Sequence, residues 1–198
     1  MKNSKTRIKY LRLMAEIEKR LEVLKGFSNN QINAIYLQAT IESEALQLRK
    51  ILELIAYASL IAHKDVYANA FKDFASHWRA VKIINQIEKL NPDFYPIPTR
   101  GLKNGKWFTL KGGYLTKKQF KYLYDKCGVV MHAKNPFSNS SQYCLSFHKK
   151  VPNYVFKIEQ LLSEHKIKLF GEIDEIHVMV PFHKDQSSLL RCLSKIKG

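Results

Sequence analysis

A chain of 198 residues with 45% hydrophobic content can fill one core, which excludes disorder over the whole chain. Its 33 basic and 17 acidic residues give a formal net charge of +16, which points to an anionic partner. No uninterrupted apolar stretch is long enough for a membrane span, and the charged segment MKNSKTRIKYLRLMAEIEKR has no signal-peptide core, so a cytoplasmic protein without a membrane partner is expected.

The three cysteines, Cys127, Cys144 and Cys192, form no CxxC pair, which argues against a disulfide framework and a thiol redox motif. Of the 33 basic residues 26 are Lys and 7 are Arg. Lys is a point charge suited to phosphate backbones, whereas bidentate base reading favours Arg, so the charge predicts sequence-independent phosphate contact.

In chain order, residues 6 to 25 read as an amphipathic helix, with Met14, Ile17, Leu21 and Leu24 on one stripe and Gly26 with Ser28, Asn29 and Asn30 ending it. Gln31 to His63 lacks Pro and Gly and reads as a long helix. Its second half carries apolar residues nearly all round, including Leu46, Leu48, Ile51, Leu52, Ile55 and Leu60, which marks a central buried helix. On that helix Glu42, Arg49 and Glu53 fall on one narrow stripe, as an internal ion-pair network or as part of a site. Val66 to Leu90 predicts another helix, with Phe71, Phe74, Trp78 and Val81 on a stripe, His77 packed among them, and Asn91-Pro92 as the stop.

The segment NPDFYPIPTRG reads as an extended linker, and GKWFTLKGGYLT as a β-hairpin turning at Lys111-Gly112-Gly113. Around it Arg100, Lys103, Lys106 and Trp107 form a basic and aromatic patch, either of the kind that binds nucleic acid or a hairpin anchored by its aromatics. Thr116 is the expected N-cap of a helix running into KKQFKYLYDKCGVVMHAKNPF. Asn135-Pro136 and SNSSQ read as a loop, and Pro152 as the first turn of a short helix through Ser163. IKLF, EIHVMVPF and SSLLRCLSKI read as a small antiparallel meander, although Leu189, Leu190, Leu193 and Ile196 also fit a basic amphipathic helix.

The Lys117–Phe137 stretch holds the best candidate for chemistry. A helical wheel puts Leu123, Tyr124, Cys127, Val130 and Met131 toward the core and Lys118, Lys121, Asp125 and His132 in one opposite sector. Histidine among charges suits a general base or acid, or is simply an exposed residue at a helix C-terminus, where a cation is favoured. Cys127, His132, Cys144 and His148 give C-x4-H-x11-C-x3-H, which departs from zinc spacings, so no metal and no cofactor are expected. P-loop, Rossmann, HExxH and GxSxG patterns are absent.

The runs EALQLRKILELIAYASLIAH and LYDKCGVVMHAKNPF resemble uncharacterised bacterial proteins that share an LRK-x-LE helix and an H-A-x-N-P-F helix end. More distantly, residues 31 to 137 are similar to the HEPN (higher eukaryote and prokaryote nucleotide-binding) superfamily. The resemblance implies a HEPN-like helical bundle; with the hairpin and meander read above, the expected fold is mainly α (α+β), a helical domain over residues 1–165 with a β-hairpin insertion at about 105–116 and a C-terminal antiparallel β meander over 166–198. It also implies a metal-independent endoribonuclease of bacterial defence or toxin systems, working on RNA as a homodimer beside an antitoxin or other defence partner protein. In that scheme His132 activates the ribose 2′-hydroxyl, Lys126 stands where the family carries Arg, Cys127 replaces the usual polar residue, and Arg49 and Glu53 match polar positions of the earlier helix. The alternative on the same fold is a noncatalytic nucleic-acid- or protein-binding module, with Lys118, Lys121, Arg100, Lys103, Lys106 and Trp107 as contacts.

Overall fold

The computed structural model describes residues 4–71, 79–103, 106–133, 141–168, 175–180, 182 and 193–196. It is mainly helical with one small antiparallel sheet. Helix α1 (Ser4–Ser28) buries Tyr10, Met14, Ile17, Leu21 and Leu24, spaced three and four apart, and packs mainly on α2 (Leu37–Ala62). Helix α2 is the hub, packing on α1, α3 (Lys64–Ala70), α4 (Ala80–Leu90), α5 (Lys117–Met131) and α6 (Ser141–His148). That is why Ile41, Leu48, Ile51, Leu52 and Ile55 lose essentially all exposure. No helix among the described residues is long and apolar enough to cross a membrane.

Several boundaries differ from the sequence expectation. The helix expected from Gln31 begins at Leu37, because Ile35, inside the expected helix, adopts φ 46° and Tyr36 is extended at φ −136°, ψ 153°, neither of which a right-handed helix accommodates. The segment read as one helix from Val66 to Leu90 is divided between α3, which already begins at Lys64, and α4, and Phe74, His77 and Trp78 lie outside the described residues. Helix α6 replaces part of the expected loop after residue 140, whereas Asn135-Pro136 falls outside the description.

The strands were only half legible. The hairpin is formed by β1 (Ile97–Lys103) and β2 (Lys106–Thr109), so it turns before Lys106 and not at Lys111-Gly112-Gly113. Part of the proline-rich linker is therefore a strand. Its register shifts between Thr99 and Leu102, where Gly101 adopts φ 64°, a bulge of the kind that lets a Pro-containing strand enter a ladder. After α7 (Val151–Leu162), with Pro152 in its first turn as expected, come β3 (Glu164–Lys168), β4 (Glu175–Met179) and β5 (Leu193–Ile196). All five strands pair antiparallel in the order β2-β1-β3-β4-β5. The expected insertion and meander are thus one sheet, joined where Ile97 and Pro98 pair with Lys166 and His165. Residues 193–196 are strand and not helix, while Leu189, Leu190 and Cys192 lie outside the described residues.

Candidate functional site

Helix α5 begins at a capping box. Thr116 Oγ1 accepts from the Gln119 amide at 3.3 Å, and Gln119 Oε1 accepts from the Thr116 amide at 3.2 Å. With that start fixed, Phe120, Leu123, Tyr124, Cys127 and Val130 turn inward and Lys118, Asp125, Val129 and His132 remain exposed. Lys117 and Lys121 both donate to the Glu88 carboxylate of α4, Lys121 at 3.2 Å. The hydrogen bond from Lys117 is the main reason the Glu88 carboxyl sits below its usual range. This pairing ties α5 to α4.

Between α2, α4 and α5 opens a cleft of about 700 Å³ lined by Arg49, Arg79, Lys82, Lys89, Tyr124 and His132, with Asp125 at its wall. Tyr124 and Gly128 stand four residues apart on one stripe of α5, and His132, the residue that caps its C-terminus, follows four further on. Arg49 reaches that stripe from α2. Its Cζ lies 4.2 Å from the Tyr124 ring centroid, its Nη2 donates to the Tyr124 hydroxyl at 2.9 Å, and its Nε stands 3.4 Å from Glu53. A Cβ on Gly128 would come within 3.2 Å of Arg49 Nη1, so glycine at this point lets the guanidinium lie close to the helix. Burial raises the Tyr124 phenol above its ordinary range, opposed by the Arg49 charge.

Of the sequence candidates, His132, Arg49 and Glu53 are brought together: the first two line the cleft, and Glu53 braces Arg49 from behind. Glu42, placed on the same stripe, pairs instead with Gln38 at 2.8 Å and takes no part. Lys126 is not in the cleft. Two residues beyond Tyr124 correspond to about 200° of helix rotation, and Lys126 Nζ packs 4.6 Å from the Tyr122 ring centroid and 5.4 Å from that of Tyr143 on α6. Cys127 is core, its thiol pushed up to about 12 by burial.

The proposed nucleic-acid contacts are dispersed. Lys118 is exposed on the first turn of α5, and Lys121 is engaged by Glu88. Arg100 is exposed on β1. Trp107 has one ring face covered by His177, stacked at 3.6 Å with an 18° interplanar angle, which removes that face from base stacking. The side chains of Lys103 and Lys106 lie outside the description. Cys144 is buried and His148 pairs with Glu44, so the C-x4-H-x11-C-x3-H residues point to separate surroundings. Among the described residues no group of three or more His, Cys, Asp or Glu side chains is placed to hold a metal.

The cations that sequence reading passed over are Arg79, Lys82 and Lys89. Lys82, Asn85, Gln86 and Lys89 recur at three- and four-residue spacing on α4, opposite buried Ile83, Ile84 and Ile87. That periodicity was available in the sequence, but which helix the polar face would confront was not. No family model, curated protein or solved structure matches this chain.

Proposed function

We propose that the protein is a metal-independent endoribonuclease of HEPN type, of the sort found in bacterial defence and toxin systems, with the α2–α4–α5 cleft as its active site. The observation that carries this reading is the presence of His132 and Arg49 in one cleft with Arg79, Lys82 and Lys89. His132 takes the proton of a ribose 2′-hydroxyl, the 2′-oxygen attacks the adjacent phosphorus to form a 2′,3′-cyclic phosphate, and the bond to the 5′-oxygen breaks as that oxygen takes a proton from solvent water. Arg49 stabilises the charge that develops on the phosphoryl oxygens, a place where preorganised donors act most strongly. Bracing by Glu53 and Tyr124 supplies that preorganisation. The test is incubation of purified protein with total RNA in EDTA beside a His132→Ala variant. Cleavage by the wild type alone is expected, and equal cleavage by both, or none by either, removes the proposal.

A second reading, a noncatalytic RNA-binding module, is favoured by one specific observation: Lys126, the residue at the family's Arg position, is packed between tyrosines and away from His132. Salt-dependent RNA binding without any product would select it.

A further inference from the structure

Tyr124 and Arg49 have donors to spare at the cleft wall. The Tyr124 oxygen accepts from Arg49 Nη2 at 2.9 Å and from the backbone amide of Ala80, the first residue of α4. A phenol oxygen with two incoming donors still has its own proton to give, and no acceptor for that proton is found among the described residues. Arg49 spends Nε on Glu53 and one Nη2 hydrogen on Tyr124, so the Nη1 pair and the other Nη2 hydrogen have no protein partner among the described residues. Because the guanidinium lies over the Tyr124 ring at 4.2 Å, that face is closed to base stacking. What Tyr124 can offer a ligand is its hydroxyl.

We propose that Arg49 and Tyr124 form one anion seat that grips a single phosphate of a single-stranded RNA backbone, Arg49 through charged N–H groups and Tyr124 through a neutral O–H. The assignment rests on the reading that the cleft receives RNA. A cleft of about 700 Å³ has the dimensions of a small-molecule site and suits an unpaired segment, not a duplex. The two donor groups are adjacent and fixed to each other, so they can meet neighbouring oxygens of the same phosphate. Lys82 and Lys89 further along α4 are placed for flanking phosphates.

The probe is a 2′-O-methyl oligoribonucleotide, which lacks the nucleophilic hydroxyl and reports binding apart from cleavage. Its affinity for wild type and Tyr124→Phe is measured by fluorescence anisotropy across a salt series. The phenylalanine keeps the ring beneath Arg49. A loss of about tenfold in affinity with the salt slope unchanged is expected, because a neutral donor to a charged group is removed and no counterion release is lost. Unchanged affinity overturns the role of Tyr124 and leaves the RNA-cleft reading standing. A loss accompanied by a slope reduced by about one overturns the donor role, since Tyr124 would then act only by holding Arg49. Absence of wild-type binding at low salt removes both the seat and the reading it rests on. On wild-type protein with 13C-labelled tyrosine, binding is expected to shift the Tyr124 Cζ resonance, and a saturating titration that leaves it unmoved also overturns the proposal.

Discussion

His148 Nδ1 on α6 stands 2.7 Å from Oε2 of Glu44 on α2, a carboxylate with no exposed surface. Its other oxygen has no hydrogen-bond partner among the described residues. Burial raises the Glu44 carboxyl above its ordinary 4.5, with the His148 hydrogen bond opposing. A raised carboxyl holds its proton to higher pH in the folded state than in the unfolded one. Its contribution is therefore complete below about pH 4.5 and is lost as pH rises through the folded value. Urea denaturation from pH 4 upward is expected to show a shallower fall for Glu44→Gln than for wild type. His148→Ala, which strands the carboxylate, is expected to cost about 1–3 kcal/mol at neutral pH. Adding Glu44→Gln to it should recover most of that loss, and an unaltered stability in His148→Ala would refute the pairing.

Gly128 links the stability of α5 to the posture of Arg49. Alanine in a helix interior stabilises by up to about 1 kcal/mol relative to glycine, yet here the added Cβ meets Nη1 at 3.2 Å. Gly128→Ala should therefore leave the melting temperature equal or higher while RNA binding drops by a factor of about ten, as the guanidinium must shift by a few tenths of an ångström away from the helix. Retained affinity in a folded Gly128→Ala protein would show that the Arg49 position is not needed for binding.

Local signals carried well in this chain. Thr116 announced the start of α5, Pro152 the start of α7, and the apolar stripe of α1 its buried face. Arg49 and Glu53 were legible as charges on a buried helix that had to be paired or line a site, and His132 as a histidine among charges on the outer sector of its helix. What could not be read were the pairings across the chain. Glu44 with His148, Tyr10 with His165 and Pro98 with His165 join residues about 70 to 155 positions apart, and no periodicity within one element specifies them. Lys126 shows the same limit from the other side. Its spacing on α5 was visible, but that Tyr143 would be brought up to cover it depends on α6, a helix hidden in an apparent loop.

Lys82 and Lys89 separate the cleft from the general positive charge of the protein. Both are exposed and line the cleft, whereas Lys126 is packed on Tyr122 and Tyr143 outside it. If phosphates lie along α4, Lys82→Ala and Lys89→Ala should each weaken RNA binding and lower the salt slope by about one. Lys126→Ala should change neither, although it removes the same formal charge. Three equal effects would mean that net charge alone, and not the cleft, draws the nucleic acid.

Tyr10 and His165 test how the sheet is held to the helical body. His165 on β3 is fully buried, with Nδ1–H donating to the Leu162 carbonyl at 3.0 Å and Nε2 accepting from the Tyr10 hydroxyl of α1 at 2.7 Å. Both ring nitrogens are thereby satisfied in the neutral form. Burial lowers the imidazole from 6.5 to about 4. A depressed histidine contributes stability that is present above its unfolded value and lost as pH falls, here from about 6.5 through about 4. At about 1.4 kcal/mol per unit the loss is on the order of 3 kcal/mol. His165→Gln is expected to flatten the stability curve in that window. Tyr10→Phe, which leaves Nε2 without its donor, should cost about 1–3 kcal/mol at pH 7. Chemical denaturation of the three proteins between pH 4 and 7 measures both effects, and parallel curves for wild type and His165→Gln would assign the acid sensitivity to other groups.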